Sequence, residues 1–80
     1  MRLDKYLKVS RLIKRRTVAN EACDAGRITI NGKPAKPAAE VKAGDVIGLR
    51  VGGKDVRAEV LSISEHAQKA DAAEMFRLLP

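Results

Sequence analysis

The sequence predicts an α+β domain in which two N-terminal helices pack on a small, mostly antiparallel β-sheet, with a short C-terminal helix after it. Three observations carry this. Apolar residues recur at helical spacing in residues 3–25; apolar and polar residues alternate between turn signals from residue 27 to 63; and helical spacing returns at 71–79. The chain has 80 residues, enough for one domain. At that length only ~60% of the unfolded chain's surface is buried, so the core is small.

The first helix is expected over residues 3–13, where Leu3, Tyr6, Leu7 and Val9 lie among Lys5, Lys8 and Arg11. Leu3 and Leu7 are four apart, as are Asp4 and Lys8, which suits an amphipathic helix with a supporting ion pair. Lys14-Arg15-Arg16 breaks the apolar pattern and reads as a turn and the opening of a second helix. That helix runs to about Ala25, with Val18, Ala19, Ala22 and Cys23 on its apolar face and Gly26 placed to end it. Small side chains there let it approach its neighbour closely.

Arg27-Ile28-Thr29-Ile30 alternates like a strand, and Asn31-Gly32 is a strong hairpin signal. Pro34, Pro37 and neighbouring alanines suggest an irregular connection, and Ala43-Gly44-Asp45 a turn. Val46–Val51 should be a strand with Ile47, Leu49 and Val51 on one face. Gly52-Gly53 turns the chain into a return strand carrying Val56, Ala58 and Val60, and Leu61 and Ile63 suggest a bulge or a change of register. At the end, Ala72, Met75, Phe76 and Leu79 fall on one helical stripe, with Asp71 as its cap, and the stripe is expected to pack on the sheet. There is no internal repeat.

Charge is distributed unevenly. Residues 1–36 hold ten basic and three acidic side chains, a net of +7, whereas residues 37–80 hold six and seven, a net of −1. A one-sided positive field attracts polyanions by steering and counterion release. The single cysteine, Cys23, has neither a disulfide partner nor a CxxC pattern for zinc, and its apolar helical setting makes it a core residue. No apolar run is long enough for a transmembrane helix, and residues 1–16 lack the apolar core of a signal peptide. The expectation is a cytoplasmic protein with no membrane partner.

The N-terminal cations are the one constellation above background. Lys5, Lys8 and Arg11 recur every three residues, so a basic strip flanks the apolar one on the first helix. Arg15 and Arg16 open the second helix, where amide groups and the helix dipole also favour phosphate. Basic residues there oppose the dipole, a cost that a bound anion would offset. Asp4 has two roles open to it: pairing with Lys8, which the spacing favours, or orienting Arg2 or an arginine of the second helix towards RNA. Tyr6 and Phe76 are the only aromatic residues, too few for a platform of stacked bases. Recognition should lean on phosphates, 2′-hydroxyls and shape. Catalysis is not indicated: His66 is isolated, Ser10, Thr17, Thr29, Ser62 and Ser64 have no evident base, and Gly52-Gly53 lacks the GK[ST] of a phosphate loop. The expectation is a protein that is not an enzyme and uses no cofactor or metal.

Arg2-Leu3-Asp4-Lys5-Tyr6-Leu7, then Arg16-Thr17, then Gly26-Arg27-Ile28-Thr29-Ile30-Asn31-Gly32 resembles the RNA-binding domain named after ribosomal small-subunit protein four, the alpha-L motif. The resemblance spans about residues 1–50, with 51–80 as added strands and a short helix of the same single domain, 1–80. Thr17 stands where the family often has serine. Within that family the Leu7–Arg16 stretch and Ala72-Ala73-Glu74-Met75 are similar to small bacterial factors of ribosome-associated quality control.

That resemblance implies a factor that binds large-subunit rRNA and peptidyl-tRNA. It would act as a monomer when free, beside an RqcH-type tailing factor that adds C-terminal alanines to stalled chains. A heat-shock relative that recycles dissociated large subunits carrying peptidyl-tRNA shares the R-L-D start. The same domain also serves as a targeting module ahead of catalytic domains, as in pseudouridine synthases. Met1 opening directly into the motif, and a helix closing the chain, lead to the expectation of a stand-alone protein. On the family pattern Arg2, Asp4 and Arg16 match the rRNA contact. Lys5, Lys8, Arg11 and Arg15 join the candidate RNA-binding set from the charge strip alone.

Overall fold

The computed structural model describes residues 1–51, 53–63, 72 and 74–79. Helix α1 spans Leu3–Val9 and α2 Arg16–Asp24; strands follow at β1 Ile28–Ile30, β2 Lys33–Pro34, β3 Val46–Val51, β4 Lys54–Val60 and β5 Phe76–Leu79. The strands form one sheet in the order β2-β1-β3-β4-β5, with every neighbouring pair antiparallel.

Turn chemistry sets the hairpins. Asn31 and Gly32 both have positive φ, 52° and 84°, and Ile30 pairs with Lys33 across them, the two-residue geometry whose twist matches the flanking strands. Pro34 belongs to the short edge strand β2 rather than to an irregular connection; a proline is tolerated there because an edge strand has a side that pairs with nothing. The Leu61 and Ser62 amides both donate to the Met75 carbonyl, at 2.8 and 3.2 Å, the two-against-one count of a bulge.

One face of the sheet builds the core. Ile28 on β1, Ile47 and Leu49 on β3 and Val60 on β4 are buried with Leu3, Tyr6 and Leu7 of α1, Ala19 and Cys23 of α2, and Ile13, Val41 and Met75. Cys23 is a core residue as expected: burial, with the nearby charges of Asp4 and Asp24, pushes its thiol up to about 11, which leaves it unreactive. Val18, placed on the apolar face of α2 by its spacing, is instead 47% exposed.

Two further expectations need correction. Helix α1 ends at Val9, so Arg11 is not on it. The Arg11 amide donates to the Lys8 carbonyl and the Ile13 amide to that of Leu7, and Arg11 turns the chain with φ of 64°. In addition, Phe76–Leu79 is strand β5, paired with Arg57–Val60 of β4, rather than part of a C-terminal helix. The expected cap Asp71, together with Ala73, Ser64 and His66, lies outside the described residues.

Candidate nucleic-acid interface

The N-terminal site is assembled from three separate segments. Residues 1–3 run along 39–41: the Leu3 amide donates to the Ala39 carbonyl at 2.8 Å and the Val41 amide to that of Met1 at 2.9 Å. An isolated bridge pairs Arg2 with Glu40. This pins Arg2 just ahead of α1. Asp4 lies in the first turn of α1 and is 1% exposed. Arg16 opens α2, and Asn20 stands one turn further on.

All of them converge on the Asp4 carboxylate. Oδ1 accepts the Lys5 amide at 2.7 Å and an Arg16 Nη2 hydrogen bond at 3.4 Å. Oδ2 accepts from Arg2 Nη2 at 3.2 Å and from Asn20 Nδ2 at 3.2 Å, with Arg16 Nε at 3.3 Å. Asn20 also donates to the Arg16 carbonyl at 2.9 Å, which ties it to the start of α2. Burial alone would raise the Asp4 carboxyl. Hydrogen bonds from Arg16, the Lys5 amide and Asn20, with the charge of Arg16, outweigh it and hold the group below its ordinary value.

A buried anion thus grips two cations whose side chains are 54% (Arg2) and 45% (Arg16) exposed. The two guanidiniums are oriented before a ligand arrives, and planar forks of this kind match phosphate oxygens. The positive end of α2 adds to the same field. Asp4 itself is covered, so it acts by orienting arginines. The Asp4–Lys8 pair favoured by spacing is not formed: Lys8 is exposed and Asp4 takes its side-chain partners from Arg2 and α2. Of the remaining candidates, Lys5 is half-buried, and Lys8, Arg11 and Arg15 are exposed and not bonded to Asp4. Sequence reasoning missed Asn20, although its place four residues after Arg16, on the same helix face, marks it as a companion.

Among the described residues no cluster of His, Cys, Asp and Glu could hold a metal, and no helix is long and apolar enough to cross a membrane.

Comparison with known proteins gives a consistent picture. The S4 domain family model matches residues 1–47. The chain is 56% identical over 79 residues to the RQC P-site tRNA stabilizing factor of Listeria innocua, covering 99% of this chain and 86% of that protein. It is 52% identical to the protein of the same name from Bacillus subtilis, again over 99% of this chain and over 92% of the relative. Among solved structures it is similar to the trimeric heat shock protein 15 of Vibrio cholerae, with a TM-score of 0.91 at 32% identity, covering 99% of this chain and 81% of that one.

Proposed function

We infer that this chain, which belongs to the S4 domain family and within it to the RQC P-site tRNA stabilizing factors, binds rRNA and peptidyl-tRNA on the large ribosomal subunit. It acts in ribosome-associated quality control and supports an RqcH-type factor as that factor adds C-terminal alanines to stalled nascent chains. Residues 1–80 work as one non-catalytic domain, cytoplasmic and monomeric when free, whose mechanism is positional: oriented cations hold an RNA arrangement while other components do the chemistry.

The observation that carries this reading is the Arg2–Asp4–Arg16 cluster, a pre-oriented pair of phosphate donors on a buried carboxylate. Lys5, Lys8, Arg11 and Arg15 extend the contact surface. Sedimentation with ribosomes tests it directly. Wild type is expected to travel with large subunits at fixed salt, and the Arg2→Ala/Arg16→Ala variant to remain at the top of the gradient. Folded wild-type protein that stays at the top would remove the ribosome as partner. Arg16→Ala alone should weaken binding to duplex RNA and reduce the salt slope of log K by up to ~0.9 if it neutralises one phosphate. An unchanged slope and affinity would take Arg16 out of the interface.

The structural likeness to heat shock protein 15 supports a second reading, recycling of dissociated large subunits that carry peptidyl-tRNA. The two differ in company: co-purification with a tailing factor, and loss of alanine tails when the protein is depleted, belong to the first alone.

A further inference from the structure

The outer face of the sheet, opposite the helices, carries a feature that the Arg2–Asp4–Arg16 cluster does not use. Thr29 on β1, Gly48 on β3 and Arg57 on β4 stand opposite one another in one row. Glycine weakens the interior of a strand and often marks a bulge, a special backbone angle or the close approach of another molecule. Gly48 serves neither of the first two purposes. The register runs through it without interruption, and it is not among the positive-φ residues. What it permits is the close approach of the Thr29 side chain: a Cβ at 48 would collide with the Thr29 hydroxyl.

The bare position contributes to a hollow of about 380 Å³ whose lining includes Arg27, Thr29, Gly48, Arg50, Asp55 and Arg57. Arg27 and Arg50 are held side by side, since the Arg50 amide donates to the Arg27 carbonyl at 2.9 Å. Among the described residues Asp55 is the only acid in the lining. It accepts one hydrogen bond from Arg50 Nε at 3.1 Å, and with both side chains about three-quarters exposed that pair is weakened by water and salt. Arginine's fork has further N–H groups to offer an anion. No aromatic side chain of the described residues lines the hollow, so stacking of bases is not its chemistry.

We propose that this hollow is a second RNA-backbone site, which takes phosphodiester groups on the sheet face while α1 and α2 hold a different segment. The proposal rests on the RNA-binding reading above and adds to it that one chain joins two stretches of RNA from opposite faces.

Titration of the isotope-labelled full chain with a short RNA duplex, followed by amide chemical shifts, tests it. Two sets should move, one around Arg2, Asp4 and Arg16 and one around Thr29, Gly48 and Arg57. The Arg2→Ala/Arg16→Ala variant should lose the first set and keep the second, and Arg27→Ala/Arg57→Ala the reverse, with a salt slope lower by about 0.9 for each phosphate no longer neutralised. The spectrum itself reports whether each variant is folded, and Arg27→Lys/Arg57→Lys should retain the sheet response. Sheet amides that stay still while the helix set moves would overturn the second site and leave the proposed function standing. Silence of both sets would count against the function itself. Sheet amides that respond to polyglutamate but not to RNA would assign the face to an acidic protein and overturn the proposal.

Discussion

Replacing Asp4 by Asn would leave the shape of the first turn of α1 intact and remove the charge around which Arg2 and Arg16 gather. The folded carboxyl titrates below its ordinary value of 3.8, so the folded state binds fewer protons than the unfolded one in that range. Its contribution is complete above the unfolded value and is lost as pH falls through the folded one. Urea unfolding at a series of pH values should show wild type losing stability below about pH 4 with a steeper slope than Asp4→Asn. At neutral pH the variant should be about 1–2 kcal/mol less stable, the low side of a broken buried charge network, because both guanidiniums are half in water. Parallel pH curves would mean that the carboxylate contributes no differential binding of protons. Part of this role was legible in the sequence, since Asp4 lies on the buried stripe between Leu3 and Leu7. The spacing rule that paired it with Lys8 describes one helix in isolation, and the partners come from the extended N-terminus and from α2.

The two helices end in nearly the same way with different residues. At the end of α2 the Gly26 amide donates to the Cys23 carbonyl and the Arg27 amide to that of Ala22, with Gly26 at φ of 73°, a Schellman cap. At the end of α1 the left-handed position is filled by Arg11, where a side chain costs about 1–2 kcal/mol that glycine avoids. Arg11→Gly is therefore expected to raise unfolding stability by about 1 kcal/mol while weakening RNA binding, and Arg11→Ala to weaken binding with no such gain. Equal RNA affinity in all three proteins would show that Arg11 is not kept for its charge. Gly26 was readable as a terminator because it follows the apolar pattern directly; the earlier break was hidden because arginine is an ordinary helix residue. The C-terminal segment misled for a related reason. Ala72, Met75, Phe76 and Leu79 suit a helix locally, but β4 offers an open edge, and pairing Arg57–Val60 with Phe76–Leu79 satisfies both backbones. Local preference yields to such tertiary pairing.

At the scale of the whole molecule, Tyr6 joins the beginning of the chain to its end. Its hydroxyl, fully buried, donates to the Met75 carbonyl at 2.7 Å across 69 positions. That carbonyl also receives the Leu61 and Ser62 amides, so α1, the end of β4 and the entry to β5 meet at one oxygen. Spacing identified Tyr6 as a core side chain, but nothing local points to a partner so distant. A domain of this length has roughly 0.05–0.15 kcal/mol of stability per residue, so one buried hydrogen bond of about 1 kcal/mol is a visible fraction. Burial pushes the phenol from 10.0 up to about 12, so the unfolded chain ionises first. The contribution is whole below pH 10 and is lost as pH rises through the folded value of about 12, by at most about 1.4 kcal/mol per pH unit. Because Tyr6 is the only tyrosine, tyrosinate absorbance reports on this site alone. In native protein it should appear near pH 12 together with unfolding, and in urea near pH 10. Tyr6→Phe should cost about 0.5–1 kcal/mol at neutral pH, since two amides still serve the Met75 carbonyl, and should flatten the decline in stability between pH 10 and 12 relative to wild type. Tyrosinate forming near pH 10 in protein that is still folded would place the hydroxyl in water and break the link between the helical layer and the last strand.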